Sequence, residues 1–150
     1  MSAQNKAAMR RIFEEGWNQG DFAVVEEIFS PDYVAHFTPP GAPAGRDGFR
    51  WFVQMYRTAF PDLHLQVDDM LADGDKVISR FTIRGTHTGQ LMNIPPTNKE
   101  VTVTAMVIVR FENGQNMEAW AETDRFGLMQ QLGVIPAPQQ GKALPVTSLR

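Results

Sequence analysis

The spacing of apolar residues changes near Pro61, and this change limits the folds open to the chain. Before Pro61, apolar side chains recur three and four residues apart, as on one face of a helix. In the segment 46–59 they are Phe49, Phe52, Val53 and Tyr56. After Pro61 they alternate with polar residues, as in a half-buried strand, and the first such set is Leu63, Leu65, Val67 and Leu71. Helices followed by strands predict an α+β domain in which helices cover one face of a sheet.

The same patterns place the individual elements. We predict helices over 4–19, 21–29, 46–59 and 125–132, and strands of an antiparallel meander over 63–71, 76–87, 101–111 and 116–124. Asp21 is placed to cap the second helix, and Asn113-Gly114 is typical of a hairpin turn. A short extended piece precedes a Pro/Gly loop that ends at Gly45. The residues from Ala137 onward are rich in Pro, Gln and Gly and are predicted to form a loose tail.

Composition excludes some classes of function. The 150 residues include no cysteine, which rules out disulfides, thiolate metal sites and a cysteine nucleophile. The net charge is −3 with both signs mixed along the chain, so nucleic acid is not an expected partner. No segment resembles a signal peptide or a membrane span, so we expect a cytoplasmic protein. Neither metal-ligand spacing among the three histidines nor a phosphate-binding loop occurs, so an enzyme with this sequence is expected to work without a cofactor.

A strongly bent sheet wrapped around a helix leaves a pocket at its open end, which suits a small apolar ligand. Because side chains alternate along a strand, the period predicts which polar residues point into that pocket. Asp69 shares the face of Leu65 and Val67, unless a bulge or the strand end turns it to solvent. His87 continues the apolar face that contains Phe81, where it either contacts substrate or is a satisfied structural residue.

The last strand carries the residue on which a functional interpretation depends. Trp120, Glu122 and Asp124 share one face, and Ala119 lies on the other. Asp124 directly precedes the last helix, and Asp is a favoured N-cap residue. Its carboxylate is therefore either a helix cap, which the spacing alone favours, or an acid–base group beside Trp120. His36, just before the Pro/Gly loop, is on the same grounds an ordinary loop histidine.

Four blocks of the sequence carry a resemblance to a known family. They are "SPDYVAHFTPPG", "FRWFVQMYRTAFPDLHLQVDDMLADGDKV", "GTHTGQLMNIPPTNKEV" and "EAWAETDRFGLMQQLG", in that order. Over residues 5–135 the chain resembles the SnoaL-like polyketide cyclases, also called ester cyclases, of the nuclear-transport-factor-2-like superfamily. The resemblance implies a cone-shaped α+β barrel, with N-terminal helices packed on a strongly curved antiparallel or mixed sheet. Residues 1–136 would form this domain, 137–150 a flexible tail, and two copies would pack through their sheets as a homodimer.

The resemblance also implies a reaction and the residues that serve it. Characterised members close a polyketide ring by an intramolecular aldol reaction without metal or cofactor, so the implied substrate is small, hydrophobic or aromatic, and polyketide-like. Asp124 aligns with the family's acid–base aspartate, His36 with its pocket histidine, and His87 with the histidine of its Thr-His-Thr-Gly block. The residues predicted to contact substrate are His87, Trp120, Trp17, Tyr56, Met106, Asp69 and Glu122. Of these, Trp17, Tyr56 and Met106 also fit a plain core role.

Two positions depart from the family pattern. Glu118-Ala119-Trp120 stands where the family commonly has Glu-His-Trp, and Asn98 stands where it has glycine. Because Ala119 lies opposite Trp120 in the period-two pattern, we expect the position of the lost histidine to be peripheral.

Three functions remain open on the sequence. The first is a cofactor-free cyclase, with epoxide opening or hydroxylation as variants within the same fold; in epoxide opening Glu122 would assist Asp124. The second is a non-catalytic small-molecule-binding module in which Asp124 only caps the helix. The third is an interaction domain that uses its sheet for dimer contact.

Overall fold

The structure of the protein is a computed structural model that describes residues 2–136. Its helices are α1 (Ser2–Arg11), which continues into π-helical turns over Ile12–Asn18, then α2 (Ala23–Ile28), α3 (Gly45–Ala59) and α4 (Arg125–Leu132). Its strands are β1 (Phe29–Ala35), β2 (His64–Asp73), β3 (Lys76–Thr86), β4 (Glu100–Glu112) and β5 (Gln115–Thr123). The predicted tail, 137–150, lies outside the described residues.

The five strands form one mixed sheet in the order β1-β5-β4-β3-β2. Strands β2 to β5 make the predicted antiparallel meander, and the extended piece before the Pro/Gly loop becomes β1, which pairs in parallel with β5. The α+β class is confirmed. Asn113 and Gly114 both have positive φ, 52° and 78°, as the predicted hairpin turn requires.

One face of the sheet packs against the helices and holds the core; we call it the inner face and the opposite one the outer face. Strand β4 shows the alternation most clearly, because it is rich in β-branched residues and has no irregularity against β3. Its inner residues are Val101, Val103, Ala105, Val107 and Val109, all buried. Helix α3 and the π-helical turns bury their apolar stripes against the same face, so the core lies between helices and sheet.

Asp69 is turned to solvent by a bulge, which is the alternative stated for it from the sequence, so its predicted place on the inner face is wrong. In β2, Val67 pairs with Phe81 and Asp69 pairs with Arg80, so Asp68 is an extra residue that forms a bulge. A bulge inverts the alternation that follows it. Asp69 therefore lies on the outer face, where its carboxylate accepts a hydrogen bond from Arg80 at 2.7 Å. Leu71 follows it outward and is 64% exposed.

Candidate functional site

A cavity lined mainly by aromatic and aliphatic side chains lies between the helices and the inner face of the sheet. Its empty volume is about 1120 Å³, a figure that includes the space open to solvent at the mouth. Trp17 occupies one wall, with its ring 6.0 Å from Phe52, 6.3 Å from Tyr56 and 6.5 Å from Phe49, centroid to centroid. Trp17 and Tyr56 thus line the cavity where they were predicted, and their contact with substrate stays a prediction.

Few polar groups face this cavity. Tyr33 and Tyr56 contribute phenolic rings to its wall, and burial raises the pKa of both hydroxyls, so they are neutral hydrogen-bond donors at neutral pH. The nearby cation of Arg125 partly opposes this effect on the pKa of Tyr56. Asn116 contributes a buried amide, and Thr123 and Arg125 stand where β5 meets α4. The cavity is therefore mainly apolar, with a small number of hydrogen-bond donors and acceptors at fixed positions on its wall.

Asp124 caps α4. Its Oδ1 accepts a hydrogen bond from the backbone N–H of Gly127 at 2.9 Å, and its own N–H donates to the carbonyl of Thr104 at 3.0 Å. Gly127 permits this arrangement, because a Cβ at that position would overlap the carboxylate. The predicted capping role is confirmed. Asp124 is exposed and is not itself among the residues that line the cavity, although its neighbours Thr123 and Arg125 both are.

His36 and Trp120 lie on the outer face, so the prediction that they face the pocket is wrong. The pairing of Ala35 with Ala119 sets the register of β1 on β5 and leaves His36 next to Trp120 outside. Their rings stack nearly in parallel, with centroids 5.0 Å apart. His36 Nε2 donates to Glu118 at 2.8 Å, and Arg110 bonds the same carboxylate at 2.8 Å. These hydrogen bonds lower the pKa of Glu118.

His87 is fully buried but does not line the cavity. Its Nδ1 accepts a hydrogen bond from the backbone N–H of Thr97 at 3.2 Å, and its ring packs on Phe60 at 5.3 Å. Its backbone N–H donates to the carbonyl of Lys99, and its carbonyl accepts from Asn98. His87 therefore holds the loop between β3 and β4, as expected of a structural residue, but its Nε2 has no hydrogen-bond partner among the described residues. Its contact with substrate stays a prediction.

Met106 and Glu122 are partners across β4 and β5, and both are exposed. Met106 is 51% exposed on the outer face, so its predicted place in the cavity is wrong; the undisturbed alternation of β4 sends it opposite Val107. Glu122 does contribute to the cavity wall, together with its neighbours Ala121 and Thr123.

The similarity of the chain to known proteins identifies its family. The family model of the SnoaL-like polyketide cyclases matches residues 7–132, most of the chain. The chain belongs to the SnoaL-like polyketide cyclase family. No protein of curated function matches it in sequence.

Solved structures of similar proteins agree with this family. IdmH from Streptomyces antibioticus, a candidate polyketide cyclase, is 31% identical over 87% of this chain and 99% of its own, with a TM-score of 0.76. TsrD from Streptomyces laurentii is 27% identical over 90% of this chain and 98% of its own, with a TM-score of 0.82. AclR from Streptomyces galilaeus, a candidate hydroxylase, is 28% identical over 99% of this chain and 89% of its own, with a TM-score of 0.79. The fold is the α+β, NTF2-like fold of the SnoaL-like proteins.

The expectation that Ala119 is peripheral is wrong. Ala119 is 2% exposed and forms part of the cavity wall. The resemblance places a histidine at this position in other SnoaL-like proteins, so an imidazole there would point into the cavity. In this SnoaL-like protein the alanine leaves that part of the wall apolar.

The cavity wall also includes Tyr33, Asn116 and Arg125, which the sequence patterns do not predict. Asn116 is concealed by a second bulge, because Arg110 pairs with Glu118 while Phe111 pairs with Asn116, which leaves Met117 as an extra residue. Regular alternation would put Asn116 on the face of Trp120, outside. Tyr33 was predictable only once its segment was recognised as a paired strand.

Among residues 2–136, no group of three or more His, Asp or Glu side chains is arranged to hold a metal ion. Within the same range, no helix is long and apolar enough to cross a membrane.

Proposed function

We propose that this SnoaL-like protein is a cofactor-free cyclase that closes a ring in an aromatic polyketide intermediate. The observation that carries the proposal is the aromatic-lined cavity whose wall includes Thr123 and Arg125, the two neighbours of Asp124. A flat, apolar substrate fits such walls, and a carboxylate at the rim supplies acid–base chemistry. The substrate class is small and aromatic, which agrees with the family to which the chain belongs.

The proposed reaction is an intramolecular aldol addition with Asp124 as base and then acid. The carboxylate takes a proton from a carbon that lies between two carbonyl groups. The resulting enolate carbon attacks a carbonyl carbon of the same molecule, a carbon–carbon bond forms, and the carbonyl electron pair moves to oxygen. The carboxylic acid then returns its proton to that oxygen, so the product is an isomer of the substrate. Holding both carbons in one cavity supplies much of the rate.

Two features of the site support these roles. Asp124 uses Oδ1 for the cap, and Oδ2 has no hydrogen-bond partner within residues 2–136, so one oxygen is free for proton transfer. Tyr56 lies on the cavity wall within the electrostatic reach of Arg125, and burial raises the pKa of its hydroxyl, so the proton stays available for a hydrogen bond. It is the donor that we assign to the enolate oxygen, in the manner of an oxyanion-stabilising group.

Three variants test the assignment with a trial polyketide ester that carries a 1,3-dicarbonyl. Asp124→Asn keeps a side chain that caps helices well, so the fold is expected to survive while turnover falls by about 10²–10⁴-fold. Asp124→Ala loses both roles. Glu122→Gln removes a carboxylate that does line the cavity wall, so a loss of turnover in this variant rather than in Asp124→Asn would make Glu122 the base. If Asp124→Asn turns over at the wild-type rate, Asp124 is not the base.

A non-catalytic binding module is the second candidate, and the geometry of Asp124 favours it. The carboxylate is exposed and points over Gly127, which is what a helix cap alone requires. In that case the wild-type protein binds aromatic ligands in the cavity but converts none of them, and Asp124→Asn leaves their affinity unchanged. Measuring binding and turnover on the same preparation separates the two functions. Hydroxylation, the activity suggested for AclR, would show as an oxygenated product rather than an isomer.

A further inference from the structure

Arg125 is a cation on the cavity wall that the fold leaves without a partner. Within residues 2–136, the guanidinium groups of Arg10 and Arg125 make neither a hydrogen bond nor an ion pair, whereas the other arginines bind carboxylate or carbonyl oxygens. Of these two residues, only Arg125 borders the cavity. Its N–H groups are therefore available to a ligand that occupies the cavity.

The charge of Arg125 acts on the cavity, and not only its aliphatic stem. Tyr56 belongs to the same wall, and the cation of Arg125 opposes the rise that burial causes in the pKa of the Tyr56 hydroxyl. That hydroxyl makes no hydrogen bond within residues 2–136, and it is not one of the fully buried unpaired atoms of this range, so a ligand can reach it. The field of the guanidinium thus extends to a part of the wall that a ligand touches.

The place of Arg125 in α4 is one that helix stability disfavours. Arg125 is the first residue of the helix. A helix N-terminus carries a partial positive charge, so a cation there is unfavourable and an acidic residue is preferred. The N-cap Asp124 meets that preference, but no ion pair joins it to Arg125 within the described residues. Neither the helix nor a partner in the fold therefore accounts for an arginine at this position.

Glu122 is the carboxylate on the same wall, three residues before Arg125. No ion pair joins the two side chains within residues 2–136, so Glu122 does not neutralise the guanidinium by direct contact. An anionic group of a ligand would be attracted by Arg125 and repelled by Glu122. The two residues therefore have opposite effects on the binding of an anion, and substitutions can measure each effect.

We propose that Arg125 determines specificity by binding a carboxylate group of the ligand. The planar fork of N–H groups on a guanidinium matches the two oxygens of a carboxylate. The inference rests on the proposed function of the cavity and names its substrate class: an aromatic polyketide that carries a free carboxylic acid, ionised at neutral pH. Tyr56 remains the donor to the enolate oxygen. A ligand with an uncharged group in place of the acid forgoes the charged hydrogen bonds and binds less tightly.

The test compares two probes of nearly the same shape, 2-naphthoate and 2-naphthamide, by isothermal titration calorimetry at pH 7.5. The wild-type protein is expected to bind 2-naphthoate about tenfold more tightly, the worth of a charged hydrogen-bonded pair that is open to solvent. Raising the salt from about 0.05 M to about 0.5 M should weaken the binding of 2-naphthoate and not that of 2-naphthamide.

Substitutions of Arg125 separate its charge from its shape. Arg125→Gln is expected to reduce the ratio of affinities to about one, and Arg125→Lys should keep part of it, because lysine has the charge without the planar fork. Both variants should melt at the wild-type temperature or above it, because the guanidinium has no partner in residues 2–136 to lose. Glu122→Gln should increase the ratio, since it removes the repelling charge from the same wall.

Arg10→Gln is the matched control. Arg10 is exposed and has no partner within residues 2–136, but it does not border the cavity, so its removal changes the net charge equally and should leave the ratio unchanged. Equal binding of the two probes by the wild-type protein overturns the role of Arg125. An unchanged ratio in Arg125→Gln, or an equal fall in Arg10→Gln, overturns it as well. The wild-type comparison decides the matter even if a variant fails to fold.

These results are distinguishable from failure of the cyclase proposal. Equal affinities for the two probes overturn the role of Arg125 and leave the cavity as an aromatic-binding site, whose chemistry the Asp124→Asn measurement decides. A preference for 2-naphthoate that Arg125→Gln abolishes supports the role of Arg125 even if Asp124→Asn turns over at the wild-type rate. Absence of binding by either probe overturns both proposals.

Discussion

Asp124 has a structural task and a proposed chemical one, and substitutions separate them. Its Oδ1 satisfies the Gly127 N–H at the start of α4. Loss of such a cap costs about 1 kcal/mol of folding free energy, while asparagine retains most of it. We therefore expect urea denaturation to show Asp124→Ala less stable than wild type by about that amount, and Asp124→Asn nearly unchanged. Equal stability of the alanine variant would mean that the cap contributes nothing.

His87 makes folding stability depend on pH. Burial lowers its pKa below the ordinary value of 6.5, so the folded protein resists the proton that the unfolded chain accepts. Stability is then fully present above about pH 6.5 and falls as the pH drops below it, by at most about 1.4 kcal/mol per pH unit. Urea denaturation between pH 7.5 and 5.5 should show this loss in the wild-type protein.

The control for this pH dependence is another histidine. His87→Asn should be less stable at pH 7.5 but should have a flatter profile, because it has no imidazole to protonate. His64→Gln, at an exposed position, should keep the wild-type slope. A His87→Asn profile as steep as that of the wild type would assign the loss to other groups.

At the scale of elements, the loop between β3 and β4 is held against the end of α3 by backbone contacts. The N–H groups of Thr88 and Gly89 both donate to the carbonyl of Ala59, at 3.1 and 3.0 Å. A Cβ at residue 89 would overlap the carbonyl oxygen of Thr58. Gly89→Ala should therefore displace the loop and destabilise the protein by about 1–3 kcal/mol, as overpacking does.

Thermal unfolding of Gly89→Ala and Gly16→Ala together checks this prediction. Gly16 is the matched control, because a Cβ there would meet its nearest neighbours at an ordinary 3.6 Å. Alanine is also the better helix former, so Gly16→Ala should be neutral or stabilising. Similar melting temperatures for the two variants would show that the loop accommodates a side chain freely.

At the scale of the whole molecule, the outer face of the sheet is the proposed dimer interface. Several large apolar side chains on this face are exposed to water, among them Val34, Met106, Ile108 and Trp120. Their exposure does not stabilise a monomer, and burying them between two copies would be favourable. We expect Ile108→Lys to convert a dimer to a monomer in sedimentation velocity, since an unpaired charge at an interface is costly. Trp51→Lys, an exposed apolar position on α3, should leave the assembly unchanged. A wild-type protein that sediments as a monomer would contradict the proposal.

The sequence by itself determined the elements and their order. Helical spacing, a change of period at Pro61 and turn residues such as Asn113-Gly114 are local signals, and local signals fix helices, strands and hairpins. The same locality makes Asp124 recognisable as a cap, because the signal lies within a few residues of it. For Trp17 and Tyr56 local spacing predicts only an apolar helix face, and their predicted contact with substrate comes from the family resemblance.

Only the tertiary structure decided which side chains face the cavity. Bulges at Asp68 and Met117 invert the alternation, and each exists only as a pairing with a neighbouring strand. The first sends Asp69 outward and the second turns Asn116 inward. The register of β5 on β4 pairs Trp120 with the exposed Ile108 and Ala119 with the buried Val109, which puts Trp120 outside and Ala119 inside. Whether a side chain lies on the inner or the outer face depends on every pairing along its strand, and one extra residue moves the side chains that follow to the opposite face.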